Sequence, residues 1–345
     1  MDQEKVAFDD VLLQPQYSDI YTRSDIDLLT VLGDFFFELP IISSPMDTVT
    51  EEAMALSMYR AGGLGIIHRY NSIPEQADLV QAACQLGASH IGAAVGITGD
   101  YLERAQALVA AGANFICIDA AHGHHISMKK ALLSLRQELG FSIHLMAGNV
   151  ATARGFQALV DWGADSIRVG IGGGSICTTR IQTGHGVPTL QSIIDCAKLA
   201  RDTGVQLIAD GGIKNSGDIV KALAAGANFV MLGSLLAGTE QSPGDVITAK
   251  DGNRFKKYRG MASYEAQSDY KGPSHHVEGV SSQVPFKGPV EEVIKDLMAG
   301  VRSGLSYSGA RNTLELQTSC VFIRQSSSSV RESSPHIFLD YGIKK

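Results

Sequence analysis

Residues 153–170 read ARGFQALVDWGADSIRVG and contain one helix, one turn and one strand. In the helical part the apolar residues recur three or four positions apart, and Gly163 stands where a helix would end in a left-handed residue. The run Ile167–Gly170 is short and apolar, as a buried strand is. The four-residue phrase before that strand occurs three times in the chain, as Ala111–Asn114, Trp162–Asp165 and Ala225–Asn228. The repetition indicates a stacked unit of helix and strand.

Along the rest of the chain, eight short apolar runs, this one included, alternate with amphipathic stretches. The runs are Pro40–Ser44, Leu64–His68, Ile91–Val95, Phe115–Asp119, His144–Gly148, Ile167–Gly170, Gln206–Asp210 and Phe229–Gly233. Strands that alternate with helices predict a parallel sheet. Eight units within about 200 residues predict an α/β fold of the (β/α)₈ TIM-barrel type. The alternative is a doubly wound open sheet.

Length and composition limit the classes of partner. The chain of 345 residues has a formal net charge of −7 and no long basic run, so we expect no nucleic-acid partner. The polar start MDQEKVAFDD is unlike a signal peptide, and no apolar run approaches 18 residues, so we expect no membrane partner. Five scattered cysteines without a CxxC pair indicate a reduced, cytoplasmic protein. We interpret residues 1–345 as one barrel domain.

A parallel barrel places its chemistry at the carboxyl ends of the strands. After Ser166–Val169 the chain continues as GIGGGSICTTR, where closely spaced glycines let the backbone approach a ligand and Cys177 is a candidate nucleophile. The alternative is a glycine-rich turn with an inert cysteine. DGGI at 210–213 and MLGS at 231–234 end consecutive strands, where a phosphate is often bound. Asp210 is suited to accept hydrogen bonds from ribose hydroxyls.

Residues 251–288 interrupt the alternation of strands and helices. The segment is polar and too long for a simple connection, so we interpret it as a flap over the site; the alternative is a floppy insertion. A serine-rich stretch at 326–334 lies within the C-terminal tail, 320–345.

Eight segments of the chain carry a shared pattern. They are SSPMDTVTE (43–51), GGLGIIHR (62–69), IDAAHGH (118–124), AGNV (147–150), GGGSICTTR (172–180), ADGGIKNSGD (209–218), MLGSLLAGT (231–239) and YRGMAS (258–263). Read as a set, they resemble the IMP dehydrogenase/GMP reductase family, from about residue 7 to residue 336. The barrel is then a compact one without inserted CBS domains, because His68–Arg69 leads to the third strand with no room for them.

The resemblance implies a role for each matching residue. Cys177 matches the cysteine that adds to C2 of the purine, and Thr179 and the flap residue Glu278 match the pair that activates water or ammonia. The predicted substrate-binding residues are Ser44, Ser175, Asp210, Gly211, Gly212, Gly233, Ser234, Tyr258, Gly260 and Met261. The residues predicted near the nicotinamide are Asp119, Asn149, Arg168, Gly170 and Gly172. The carbonyls of Gly172, Gly174 and Cys177 match a potassium site, to which the tail Arg331–Ser333 of a neighbouring subunit contributes; the resemblance implies a homotetramer.

The family contains two opposite reactions, and both use the same cysteine, threonine and glutamate. GMP reductase converts GMP to IMP and ammonia with NADPH, whereas IMP dehydrogenase oxidises IMP to XMP with NAD⁺. The lack of CBS domains favours a reductase. So does the flap, because dehydrogenases use a flap arginine as the base for hydrolysis and no arginine lies between Arg259 and Arg302.

Other features favour a dehydrogenase. They are the DAAHG pattern from Asp119 to Gly123, Arg69 where reductases usually have lysine, and the tail RESSPH. His275 and His276 could also replace the missing base, the alternative being solvated loop histidines. Our first choice is a GMP reductase with NADPH, the second an IMP dehydrogenase with NAD⁺, and the third a barrel that binds purine nucleotides without turnover.

Overall fold

The computed structural model describes residues 4–271 and 277–333, and these contain a closed eight-stranded parallel barrel. Each strand pairs with the strand before and after it in the chain, and the last pairs with the first. The strands are β1 (Ile41–Ser43), β2 (Leu64–Ile67), β3 (Gly92–Val95), β4 (Phe115–Asp119), β5 (His144–Val150), β6 (Ser166–Val169), β7 (Gln206–Asp210) and β8 (Phe229–Leu232). All eight coincide with predicted runs. The closed ring excludes the doubly wound alternative.

A helix follows each strand and packs against the outside of the barrel. The helices are α1 (Glu52–Arg60), α2 (Ile73–Gln85), α3 (Tyr101–Ala110), α4 (Ile126–Leu139), α5 (Ala153–Asp161), α6 (Thr189–Thr203), α7 (Ser216–Ala224) and α8 (Val290–Tyr307). Short helices also form at Thr179–Thr183 and Thr313–Ser319. Helix α6 ends at Gly204, whose φ of 74° lies in the left-handed region that glycine adopts without strain. Within the described residues, no helix is both long and apolar enough to cross a membrane.

The amino-terminal end of the barrel is closed by a β-hairpin. Its strands, Thr30–Leu32 and Phe35–Phe37, are antiparallel. Phe37 packs edge-on against Phe229 and also contacts Phe115, and both of these residues begin barrel strands. This apolar plug leaves the other end of the barrel, where the strands finish, for the site.

The segment that interrupts the repeat is ordered over most of its length. Ile247–Thr248, Arg254–Arg259 and Ser281–Pro285 form an antiparallel sheet, and Tyr264–Lys271 is a helix, which we call the flap helix. These elements give the segment regular secondary structure, and its role as a flap stays a prediction. Near the chain ends, Val11–Leu13 pairs with Phe322–Arg324. The segment with His275 and His276 lies outside the described residues, as does the tail beyond 333.

Candidate active site

Nineteen residues predicted for the site line one cavity of about 360 Å³ at the carboxyl end of the barrel. They are Ser44, Asp119, Asn149, Arg168, Gly170, Gly172, Gly174, Ser175, Cys177, Thr179, Asp210, Gly211, Gly212, Gly233, Ser234, Tyr258, Gly260, Met261 and Glu278. They come from six barrel strands or the loops that follow them and from the segment after β8. The structure therefore brings every predicted site residue together, while their individual roles remain predictions.

A hydrogen-bonded chain of three side chains lies in this cavity. The Cys177 thiol is 3.2 Å from the Thr179 hydroxyl oxygen, and that hydroxyl donates to Glu278 Oε2 at 2.7 Å. Cys177 and Thr179 belong to one loop, whereas Glu278 comes from the segment about a hundred positions further along the chain. A thiol, a hydroxyl and a carboxylate in sequence can form a bond to carbon and move a proton to or from the departing or attacking group.

Backbone hydrogen bonds hold Glu278 beside the cysteine loop. The Thr178 N–H donates to the Glu278 carbonyl at 2.9 Å, and the Val280 N–H donates to the Ile176 carbonyl at 3.1 Å. On its other side, the Glu278 N–H donates to the Ala262 carbonyl at 3.0 Å. Residues 278–280 thus lie between the cysteine loop and Ala262. The position of the carboxylate depends on both.

The glycines of the cysteine loop allow it to pack against the end of β7. A Cβ atom built on Gly170 would collide with the backbone carbonyl of Asp210, and one on Gly173 would collide with the Thr189 hydroxyl. Gly170 also has a φ of 148°, a conformation that side chains disfavour. The glycines therefore serve a close approach of two backbone segments, which brings Cys177 and Asp210 into the same cavity.

Arg168 organises the charged floor of the cavity. Its guanidinium donates to Asp119 Oδ1 at 2.7 Å and to Asp210 Oδ2 at 2.8 Å, so one cation bridges the ends of β4 and β7. Burial alone would raise the pKa of Asp119, but Arg168 and then Arg69 outweigh burial and hold the pKa below its ordinary value. Asn149 also donates to Asp210 Oδ2, at 2.8 Å. Both carboxylates are thereby fixed as acceptors in the cavity.

A second cysteine near this network is a poor nucleophile. Cys117 is fully buried inside the barrel, and Arg168 Nη1 lies 3.3 Å from its sulfur. Burial raises the pKa of the Cys117 thiol to about 11, even though Arg168 acts in the opposite direction. A thiol in that state is protonated at neutral pH and unreactive. Of the two cysteines, only Cys177 lines the cavity.

Three hydroxyl groups and the backbone of Gly233 lie close together at another side of the cavity. The Ser175 and Tyr258 hydroxyl oxygens are 3.5 Å apart, and burial raises the pKa of Tyr258, so its hydroxyl stays a neutral donor. A Cβ atom on Gly233 would lie 3.1 Å from the Tyr258 hydroxyl and 3.5 Å from the Ser44 hydroxyl. These groups surround a small space lined by donors, as the phosphate site predicted from the sequence requires.

A larger cavity of about 1450 Å³ adjoins the first and shares Arg69, Tyr70 and Asp119 with it. Three buried polar atoms on its lining have no hydrogen-bond partner within the described residues: Asp47 Oδ1, Arg69 Nε and Asn71 Oδ1. Buried polar groups are normally paired, so orphaned ones indicate a polar ligand. The size and the unpaired atoms fit a dinucleotide whose reactive end reaches the cysteine cavity.

An ion-pair network that sequence reasoning missed joins the barrel to the flap. Arg259 donates to Asp47 Oδ2 at 2.6 Å and to Asp269 Oδ2 at 2.6 Å. Asp47 follows β1 and Asp269 lies on the flap helix, so the arginine ties the two together. In the sequence, Asp47 stands out only as part of the segment SSPMDTVTE (43–51). Nothing there indicates its partner, which lies more than 200 positions away.

Potassium binding at the carbonyls of Gly172, Gly174 and Cys177 stays a prediction. The Gly174 carbonyl accepts the Cys177 N–H at 3.1 Å, and a carbonyl oxygen has a second lone pair that could meet a cation. Arg331–Ser333, predicted to serve the neighbouring subunit, lies within a short 3₁₀ helix, Ser329–Ser333.

The fold and site together define a class of barrel in which a hydrogen-bonded thiol, hydroxyl and carboxylate line one cavity and a second, larger cavity adjoins it. A family model described as the IMP dehydrogenase / GMP reductase domain matches residues 5–336. The inosine-5′-monophosphate dehydrogenase of Nitrosopumilus maritimus is 35% identical over 96% of this chain and 98% of its own length. The GMP reductase of Leishmania major is 32% identical over 96% and 97% respectively.

A solved structure of a family member is also similar to this chain. The crystal structure of a cysteine-to-alanine variant of Trypanosoma brucei GMP reductase in complex with guanosine 5′-monophosphate superposes with a TM-score of 0.91 at 30% identity and covers 97% of this chain and 98% of the other. The chain therefore belongs to the IMP dehydrogenase/GMP reductase family and is an NAD(P)-dependent oxidoreductase. The alignment with the Nitrosopumilus protein runs over 469 residues, whereas this chain has 345, so that relative contains a segment with no counterpart here.

Proposed function

We propose that the protein is a GMP reductase, which converts GMP to IMP and ammonia with a reduced nicotinamide dinucleotide. The observation that carries the proposal is the flap: no arginine lies between Arg259 and Arg302. Hydrolysis of a purine bound to the cysteine needs a base for water, which the dehydrogenases take from a flap arginine. Release of ammonia needs only a proton donor, and the contact of Thr179 with Glu278 supplies a route for that proton.

The groups in the cavity and the two substrates account for every bond that forms or breaks in the proposed reaction. The Cys177 sulfur bonds to C2 of GMP, and the exocyclic amine accepts a proton through Thr179 and Glu278 and leaves as ammonia. The nicotinamide, when bound, supplies a hydride to C2. The C2–sulfur bond then breaks and releases IMP and the Cys177 thiolate, which is protonated again. One purine C–N bond is lost, one C–H bond is gained, and the dinucleotide is oxidised.

The lining of the larger cavity bears on which dinucleotide is used. Among the described residues, seven carboxylates and three guanidiniums line it. Two of the guanidiniums are held by carboxylates at 2.6 Å: Arg104 by Asp100, and Arg259 by Asp47 and Asp269. NADPH brings a further phosphate with about two negative charges, which an acidic lining disfavours. The family pattern implies NADPH, whereas the lining favours NADH, so both donors belong in the assay.

The second candidate is an IMP dehydrogenase that uses NAD⁺. The specific observation in its favour is Arg69, which stands where reductases usually have lysine and lies 3.8 Å from Asp119 at the junction of the two cavities. The relatives named as dehydrogenases also include the Bacillus subtilis protein, at 35% identity. The same site chemistry, run in reverse with water in place of ammonia, would serve this reaction.

The deciding experiment follows the absorbance of the reduced nicotinamide in two directions. Purified protein is given GMP with NADPH or NADH, and separately IMP with NAD⁺. Consumption of the reduced dinucleotide with GMP, with one ammonia released per turnover, supports the proposal. Formation of reduced dinucleotide from IMP without any GMP-dependent consumption would establish the dehydrogenase instead.

A third outcome distinguishes an enzyme from a binding protein. If neither direction shows turnover while GMP and IMP bind, the barrel is a purine-nucleotide-binding protein without activity. Cys177→Ala is the matched variant, because it removes the nucleophile and leaves the rest of the cavity in place. We expect it to abolish turnover and to keep nucleotide binding; surviving turnover would contradict the assignment of Cys177.

A further inference from the structure

Lys287 lies outside the cavity that the predicted site residues line, and the proposed reaction does not use it. The lysine follows the flap strand Ser281–Pro285. Its ammonium donates to the backbone carbonyl oxygens of Ser234 at 2.6 Å and Leu235 at 2.9 Å, and its own N–H donates to the Gly238 carbonyl at 2.9 Å. Lys287 therefore contacts three backbone carbonyls of the turn that follows β8, residues 233–238.

These contacts fix the direction of the peptide groups in the turn. The Gly233 carbonyl accepts the N–H groups of Leu236 and Ala237, at 3.0 and 2.9 Å. The carbonyls of Gly233 and Ser234 are thus both engaged away from the cavity. In a planar trans peptide the N–H points opposite to the C=O, so the N–H groups of Ser234 and Leu235 face the other way. Gly233 and Ser234 line the cavity on that side.

We propose that Lys287 is a positioning residue for the phosphate of the nucleotide substrate. Through the Ser234 carbonyl it directs the Leu235 N–H toward the phosphate. Through the Leu235 carbonyl it fixes the Leu236 N–H on the Gly233 carbonyl, and this leaves the Ser234 N–H turned toward the phosphate. The ammonium also polarises those peptide groups, because hydrogen bonds in a chain strengthen one another, and this makes the N–H groups better donors. The inference rests on the proposed function in one respect, namely that the substrate is a purine nucleotide with a phosphate.

The charge of Lys287 gives this role a pH dependence. Burial lowers the pKa of Lys287 to about 8, and no charged side chain among the described residues contributes to the shift. The turn residues that the ammonium contacts, Ser234 and Leu235, are uncharged. A bound phosphate favours the protonated lysine. Affinity for the nucleotide should therefore be nearly constant between about pH 7 and pH 8, where the phosphate is a dianion, and fall as the pH rises above about 8, because free protein must then take up a proton to bind tightly.

The test compares the binding of GMP with that of guanosine, which lacks the phosphate, by titration calorimetry. In Lys287→Met we expect the Kd for GMP to rise at least about tenfold, the effect of losing a charge-assisted hydrogen bond, while the Kd for guanosine changes less than about twofold. In turnover assays the KM for GMP should rise by a similar factor with kcat at saturation nearly unchanged. Lys287→Arg should restore most of the affinity and remove the loss between about pH 8 and pH 9, because arginine stays charged there.

Lys256→Met is the matched control. Lys256 is a buried lysine on the same segment, and it donates to the Glu240 and Ser242 carbonyls, at 3.2 and 2.5 Å, which follow the turn after β8 in the chain. We expect it to lower thermal stability without changing the ratio of the GMP and guanosine affinities. Equal losses for GMP and guanosine in Lys287→Met would overturn the proposal, since a merely structural role predicts that pattern.

Two further outcomes are decisive if Lys287→Met fails to fold. A wild-type Kd for GMP that stays constant from about pH 7 to pH 9, or that changes in parallel with the Kd for guanosine, would contradict the role of Lys287. The shared change would then come from the base, because guanosine has the same ring. A wild-type protein that binds neither GMP nor IMP would instead contradict the proposed function itself, and the phosphate role with it.

Discussion

The contact between Thr179 and Glu278 concentrates the proton chemistry of the site in one hydrogen bond of 2.7 Å. Thr179 begins the short helix Thr179–Thr183, and the Thr178 N–H holds the backbone of Glu278 directly beside it. The two side chains come from distant parts of the chain but share one backbone-to-backbone link. Their geometry therefore depends on the backbone of residues 278–280 as much as on the cysteine loop.

Replacing Glu278 with glutamine tests this contact. The amide has the same shape but cannot hold the proton, so we expect kcat to fall by roughly 10² to 10⁴ and nucleotide Kd to change only a few-fold. Stopped-flow turnover and calorimetry measure the two. Glu265→Gln is the control, because Glu265 is an exposed glutamate of the flap helix, paired with Lys257 at 3.1 Å, and should leave kcat unchanged. An unaltered kcat in Glu278→Gln would remove the glutamate from the mechanism.

At the scale of elements, the sequence was sufficient to predict the barrel strands and the place of the site. Each strand is a local apolar run, and the barrel brings the carboxyl ends of all eight strands together, so residues such as Cys177 and Asp210 could be assigned to one cavity before any contact was known. The flap sheet and the Arg259 network could not be predicted. Their partners are polar, lie far apart in the chain and follow no period, so only the tertiary fold pairs them.

The flap helix should loosen when its link to the barrel is cut. Arg259→Met removes the ion pairs to both Asp47 and Asp269, and the hydrogen bonds to the largely buried Asp47 contribute about 1.5–3 kcal/mol. We expect amide hydrogen exchange in the flap helix to speed up by an order of magnitude or more. Asp269→Asn should have a much smaller effect, because Asp269 is 66% exposed and such pairs contribute at most about 1 kcal/mol. Equal exchange in Arg259→Met and wild type would show that the network does not hold the flap.

Across the whole molecule, reactivity and stability occupy opposite ends of the barrel. The carboxyl end carries positive-φ glycines and unpaired polar atoms around two cavities, and these are features that cost stability. The amino end is closed by the Thr30–Phe37 hairpin over aromatic residues, where His144 begins β5. His144 Nε2 is 2.8 Å from the Ser166 hydroxyl, and a Cβ on Gly33 of the hairpin would lie 2.8 Å from its other ring nitrogen.

This buried histidine makes the fold sensitive to acid. Burial lowers the pKa of His144 from 6.5 to about 4, so the folded protein keeps the ring neutral while the unfolded chain takes up a proton as the pH falls below 6.5. The free energy of unfolding should therefore decrease between about pH 6.5 and pH 4, by about 3 kcal/mol in total, and this loss levels off below the folded pKa.

Urea unfolding of wild type and His144→Gln between about pH 6.5 and pH 4 measures how much of this loss of stability is due to His144. Glutamine can still hydrogen-bond Ser166 but does not titrate, so the variant should lose about 3 kcal/mol less stability than wild type as the pH falls from about 6.5 to about 4. His125→Asn is the control, because His125 is exposed and asparagine preserves its capping of α4. Its slope should match that of wild type. Parallel curves for His144→Gln and wild type would mean that the folded barrel accommodates a charged His144. The acid sensitivity would then have to come from the carboxylates at the carboxyl end of the barrel.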